Sequence, residues 1–238
     1  MLRFFRQIRR GLITDNKFSK YLLYAIGEIL LVVIGILIAL QINNMNEARK
    51  TEKFEHQILN DILIALEENI FRNTACLKSN KNSIASVDII LKQLEENSGY
   101  HDSLAYHFSK SLTWCSPSFQ NAGYESLKTY GRNLITNDTI RENLGIYDAG
   151  WMENLSQRQE DFFFHTANPV LINLFEKVAM RTKMIPIDYK ELKQSKTYLN
   201  ILRTLKAYRE DQIRWQEEWN ESFNNLNKMI LRELKKKE

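Results

Sequence analysis

Leu22 to Ile42 is an unbroken run of 21 residues in which only Glu28 and Gln41 are strongly polar. At 1.5 Å per residue, a helix of that length spans about 30 Å, the thickness of a bilayer's hydrocarbon core. A soluble protein would bury such a helix in a large core and normally leave a polar face on it, and no polar face follows Glu28. A cleaved signal peptide fits no better: the run is too long, and no small residues occupy −3 and −1 of a cleavage site near its end. The run is therefore expected to be a transmembrane helix acting as an uncleaved signal-anchor.

Its flanks set the expected orientation. Arg3, Arg6, Arg9, Arg10, Lys17 and Lys20 precede it, whereas Arg49, Lys50 and Lys53 follow beyond an Asn-rich collar. Lys and Arg are retained on the cytoplasmic side, so residues 1–21 should stay in the cytoplasm. Residues 22–42 should then cross the bacterial inner membrane and residues 43–238 form a periplasmic domain. The formal charge of +4 belongs to the leading segment, which with Asp15 carries +5. Glu28 removes one, and residues 43–238 sum to zero. A balanced large domain excludes nucleic acid as the expected partner. In "MLRFFRQIRRGLI" apolar residues interleave with Arg3, Arg6, Arg9 and Arg10. Two readings stand: a short helix lying on the anionic inner leaflet, or a retention signal without fixed structure.

Glu28 also has two readings. It lies roughly 9 Å inside the cytoplasmic edge, close enough to snorkel toward Lys20 and Tyr24. Alternatively, Tyr21, Tyr24, Glu28, Gly35 and Ala39 fall near one stripe, and Gly35 with Ala39 has the small-xxx-small spacing that lets membrane helices approach closely. An acid on such a stripe often faces protein, which points to a homo-oligomer or to docking on another membrane protein.

The stretch "KFSKYLLYAIGEILLVVIGILIALQINNMNEARK" resembles the signature of a family of small single-pass membrane proteins found mainly in Bacteroidota and known only as a domain of unknown function. From Ala25 to Glu47 the family pattern is matched with one departure, Met45 standing where the family has Trp. "YESLKTYGRNLITNDTIRENLGIYD" (Tyr124–Asp148) is similar, more loosely, to that family's soluble-domain motif. The resemblance implies no activity and transfers no catalytic residue.

Beyond the anchor the pattern is helical. Leu63, Ile70, Leu77, Ile84 and Leu91 recur every seven residues, each followed three later by Leu66, Asn73, Asn80, Val87 or Leu94. This is a heptad seam, expected in a long helix that stops at "NSG", Asn97–Gly99. A second long helix is expected from about Lys196 to Lys237, its stripe running through Tyr198, Ile201, Leu205, Tyr208, Gln212, Trp215, Trp219, Phe223, Leu226 and Ile230. Shorter helices are expected at about His101–Thr113, Tyr124–Arg132, Thr139–His165 and Pro169–Arg181. "TND" (Thr136–Asp138) is a start signal, and Pro169 suits a first helical position. Eight Gly and three Pro are few, and no stretch alternates as a sheet would. The expected fold is all-α: a single N-terminal transmembrane helix followed by an elongated helical bundle whose two long helices pair antiparallel.

Chemistry is sparse. There is no H-E-x-x-H, no E-x-x-H, no phosphate loop and no G-x-S-x-G, so no catalytic residue, metal ligand or cofactor is expected. Asp161 and His165 share a helix face, an arrangement more typical of a surface hydrogen bond than of a metal site. "LTWCSPSFQNAGYESLKTYG" is loop-like and aromatic-rich. Trp114, Phe119, Tyr124 and Tyr130 either line a ligand or partner cleft or plug the end of the bundle. In an oxidising periplasm Cys115 is a candidate to bridge Cys76, if their backbones come close enough. The function expected is that of a non-enzymatic, membrane-anchored interaction or scaffold protein. The alternative is a periplasmic small-ligand sensor bundle signalling through a partner membrane protein.

Overall fold

The computed structural model describes the backbone of residues 18–148 and 151–236, and the chain divides into two compact units, Met1–Glu55 and His56–Glu238. The fold is all-α, and no strand occurs among the described residues apart from one isolated bridge between Phe175 and Pro186. Arg3, Arg6, Arg9 and Arg10, with the leading amphipathic segment, lie outside the described residues, as does the Tyr24 side chain.

Helix α1 runs from Phe18 to Glu95 and carries the apolar stretch. All three prolines lie downstream of residue 116, so nothing in α1 interrupts its hydrogen-bond ladder. The stop expected at "NSG" is made by Asn97, whose φ of 56° places it in the left-handed region. Ser98 N–H donates to Gln93 O and Asn97 N–H to Leu94 O, the paired bonds of a Schellman end, so Asn97 rather than Gly99 terminates the helix.

In the second unit the remainder of α1 pairs antiparallel with the last helix. Among the described residues six shorter α-helices lie between, α2 (Leu104–Ser111), α3 (Ala122–Tyr130), α4 (Asp138–Asn143), α5 (Trp151–Phe162), α6 (Asn168–Leu171) and α7 (Tyr189–Gln194), and α8 (Lys196–Lys236) follows them. Lys206 meets Asp88 at 2.6 Å and Lys81 meets Glu217 at 2.6 Å, while Asn73 Nδ2 donates to Gln216 O. As one helix ascends the other descends. These ion pairs are exposed and report the register more than they supply stability.

Each long helix carries a buried row spaced by threes and fours. On α1 the buried set includes Leu59, Ile62, Leu66, Asn69, Asn73, Cys76, Asn80, Ser83, Val87, Ile90 and Leu94. The row Leu66, Asn73, Asn80, Val87, Leu94 is thus where the sequence places it. The companion row is not: Leu63, Ile70, Leu77, Ile84 and Leu91 are only half-buried, and Ile62, Asn69, Cys76, Ser83 and Ile90 take the core. On α8 the correction has the same form. Tyr208 and Trp215 are half-buried at the border, and Arg209 and Gln216 are fully buried in their place.

The interior is consequently apolar at both ends and polar in the middle. Around Val87–Leu94 and Tyr198–Leu205, the core gathers Phe108, Phe163, Leu171, Phe175, Met184 and Leu192. At the opposite end Leu59, Ile62 and Leu66 are buried, as are Leu127, Ile140, Leu226 and Ile230.

The connecting elements depart further from expectation. The helix expected over Thr139–His165 is two: α4, extended by a 3-10 turn (Leu144–Asp148), and α5. Its start is where "TND" points, Asn137 capping α4 by accepting from Ile140 N–H. Pro169 stands in the first turn of α6 (Asn168–Leu171), as expected. A π-turn over Phe163–Ala167 leads into α6, so Asn168 N–H donates to Phe163 O and the chain passes the proline already in a shifted register. The helix ends at Leu171 rather than continuing to Arg181. Helix α7, capped by Asp188, is an element beyond those expected.

Candidate functional site

Two places are built for more than packing: the apolar stretch of α1 and the polar middle of the second unit.

In the first unit, residues 26–50 are exposed throughout, on every face of the helix. None of the most apolar window is buried, and α1 is long and apolar enough to cross a membrane. Glu28, Gly35 and Ala39 are all exposed, and a Cβ built on Gly35 meets nothing within 4 Å. At 100° per residue Tyr24, Glu28, Gly35 and Ala39 fall within about 60° of one another on the helix, a single stripe.

In the second unit, the segment from Leu112 to Asn121 has no regular structure, yet it lies against the polar middle of both long helices. Buried backbone needs partners. They are supplied by the polar residues of the seam. Asn80 Nδ2 donates to Cys115 O and Asn80 Oδ1 accepts from Cys115 N–H, both at 2.9 Å. Asn69 does the same with Gln120, at 2.8 and 2.7 Å. Each asparagine amide thereby pairs with both polar groups of one residue, as a neighbouring strand would. Ser83 Oγ donates to Lys110 O, Arg209 Nε to Thr113 O, and Gln216 Nε2 also to Cys115 O. Between the asparagines, Cys76 and Cys115 are joined by a disulfide, with Cα atoms 5.0 Å apart.

These residues have perturbed electrostatics. Burial drives the Arg209 guanidinium down to about 9, with no charged neighbour contributing. Burial also pushes the Tyr147 phenol up to about 12, Asn69 pulling slightly the other way, and raises Tyr198.

The four aromatic residues singled out from the sequence are not brought into one cleft. Trp114 packs on Phe163 with ring centroids 5.4 Å apart. Phe119 packs edge-on against Trp219 and Phe223, and Tyr124 is buried and stacks on Tyr147. Tyr130 is 67% exposed. Three of the rings thus fill the interior, at two different places. Asp161 and His165 line a shallow hollow with Arg158, Phe162, Thr166 and Tyr208. Among the described residues no group of three or more His, Cys, Asp or Glu is placed to hold a metal ion.

Sequence reasoning passed over Asn69, Ser83, Arg209 and Gln216. A signal was there: the three-four spacing runs through these polar residues without a break.

Fold and site define an all-α protein with one helix fit to cross a bilayer and, in its second unit, an internally stapled loop. Residues 28–124 match the model of a family of unknown function (DUF6090). That span holds most of the apolar stretch, both cysteines, Asn69, Asn80 and the loop they fasten. No curated protein and no solved structure matches the chain.

Proposed function

We propose that residues 22–42 cross the inner membrane of a bacterium, one of the Bacteroidota as the resemblance implies, with residues 1–21 in the cytoplasm and 43–238 in the periplasm. The exported bundle works without catalysis, as an interaction or scaffold module. The observation that carries this reading is the exposure of the apolar stretch on all sides: a core helix would hide at least one face, whereas lipid is the solvent such a surface suits. The Cys76–Cys115 bridge supports it independently, because structural disulfides persist in oxidising compartments. The non-enzymatic part rests on the sequence, which carries none of the catalytic motifs weighed above.

Contact with another helix inside the membrane is the route proposed for any signal the second unit passes on. The Tyr24–Glu28–Gly35–Ala39 stripe is the surface proposed for that contact, with a second copy or another membrane protein. Cross-linking the full chain in native membranes tests it. The expected result is a defined cross-linked species that Glu28→Leu with Gly35→Ile abolishes, and the same species at the same yield in that variant would contradict it. Ligand sensing through the aromatic segment is less well supported, because its rings are dispersed.

A further inference from the structure

Arg209 is fully buried in the N-terminal half of α8. Its Nε donates to Thr113 O at 2.9 Å, but Nη1 and Nη2 have no partner. The side chain remains protonated at neutral pH even with burial acting against it, and no acidic group opposes its charge. An uncompensated buried cation is among the most unfavourable groups a core can hold, and an apolar residue of similar volume would usually serve stability better.

Two more unsatisfied groups occur at the same level. Gln212, one turn along α8, donates from Nε2 to Ser116 Oγ at 2.6 Å, while its buried Oε1 has no donor. Gln159 on α5 is buried, and its Nε2 has no acceptor. Helix α5 runs antiparallel to α8 here: Phe162 packs on Tyr208, and Ser156 reaches Gln212 through Ser116. Gln159 lies between Ser156 and Phe162, and so sits opposite the turn from Arg209 to Gln212.

The free groups are complementary to one chemistry. The Nη1–Nη2 edge presents two parallel N–H groups at the spacing of a carboxylate's oxygens, and an amide N–H adds a third donor. The orphaned Gln212 oxygen asks for a donor beside that carboxylate.

We propose that Arg209, Gln159 and Gln212 form a buried receptor for a small organic carboxylate, its two oxygens on the Arg209 Nη edge and an adjacent hydroxyl or ammonium on Gln212 Oε1. This goes beyond the interaction reading and stands apart from it, since the site lies wholly within the second unit.

The test is thermal unfolding of the full chain in detergent, followed by tryptophan fluorescence, with glycolate, acetate, sulfate or phosphate against potassium chloride of equal ionic strength. Glycolate is expected to raise the midpoint by about 3 °C and acetate by less, with sulfate and phosphate matching chloride. Arg209→Met should fold and lose the glycolate response. Gln159→Leu, which keeps the charge, should need at least about tenfold more glycolate for the same shift, the loss of one charge-assisted hydrogen bond. No carboxylate response beyond chloride, as ordered water in the site would give, overturns the proposal. So does an unchanged response in Arg209→Met, or, should that variant fail to fold, in Gln159→Leu. A response to sulfate or phosphate alone overturns the assignment to carboxylates.

Discussion

The side-chain amide of Asn80 pairs with both backbone polar groups of Cys115, one helical turn from the point where Cys115 is bonded to Cys76. A loop with no secondary structure of its own is thereby given two strand-like pairings, at Asn69 and Asn80, with a covalent bond between them. The polar middle of the seam exists to receive that loop.

Removing one of these pairings should be expensive. Asn80→Ala takes away the acceptor of the half-buried Cys115 N–H, which costs about 1–3 kcal/mol. The same change at Asn60, whose side chain bonds only to His56 one turn away, should cost less than about 1 kcal/mol. Urea unfolding of the two variants in detergent should show the difference as a lower midpoint at constant slope.

The disulfide closes a loop between positions 39 residues apart, for which chain entropy gives about 3–4 kcal/mol. Reductant should produce a gel-mobility shift together with a lower melting temperature. A complete mobility shift with no change in melting would show that the asparagine pairings hold the loop alone.

Gly123 is placed where α3 begins against α1. A Cβ there would lie 2.8 Å from Ile62 N and 2.9 Å from Ile62 Cγ1, so the α3 backbone would have to move. Gly123→Ala should destabilise by about 1–3 kcal/mol. Gly145→Ala, where a Cβ meets nothing within 4 Å, should be neutral or slightly stabilising. Comparing the two by thermal melting separates close approach from a general intolerance of side chains at glycines.

Tyr147 supplies a pH dependence. Its phenol is pushed from 10.0 up to about 12, so folding favours the neutral form. That contribution is complete below the unfolded value and is lost as pH rises through 10 toward 12. Tyr198 acts in the same sense, whereas Arg209, shifted downward, acts oppositely above about 9, so a variant isolates the effect better than a raw titration. Tyr147→Phe removes a buried hydroxyl that makes no well-aligned hydrogen bond. It should change stability little at pH 7 and be favourable by about 1 kcal/mol at pH 11. Denaturant midpoints at the two pH values measure this.

Much of the architecture could be read from the residues because it follows from apolar periodicity and end signals. The long run at Leu22–Ile42, the row Leu66–Asn73–Asn80–Val87–Leu94, the left-handed Asn97 and the cap at Asn137 are of this kind. The misses share a cause. Asn69, Ser83, Arg209 and Gln216 look like surface residues, and only the tertiary approach of a loop backbone makes core positions of them. Tyr208 and Trp215 draw attention by size, yet sit one position off the seam. The break after α4 and the shifted turn before Pro169 depend on packing that no local propensity encodes. Helix α7 is different: Asp188, followed three residues later by Glu191, is a local start signal legible in the sequence. The aromatic segment reads as irregular and is so, but Trp114 packs in one place, Phe119 and Tyr124 in another, and Tyr130 stays exposed.

Residues 22–42 are proposed to cross the membrane once, with the second unit outside the cytoplasm. Fusing at the C-terminus, in turn, a reporter active only in the periplasm and one active only in the cytoplasm tests this directly. The expected result is activity from the periplasmic reporter alone, in a membrane fraction released only by detergent. Activity from the cytoplasmic reporter alone, or recovery of the full chain in the soluble fraction, would contradict it.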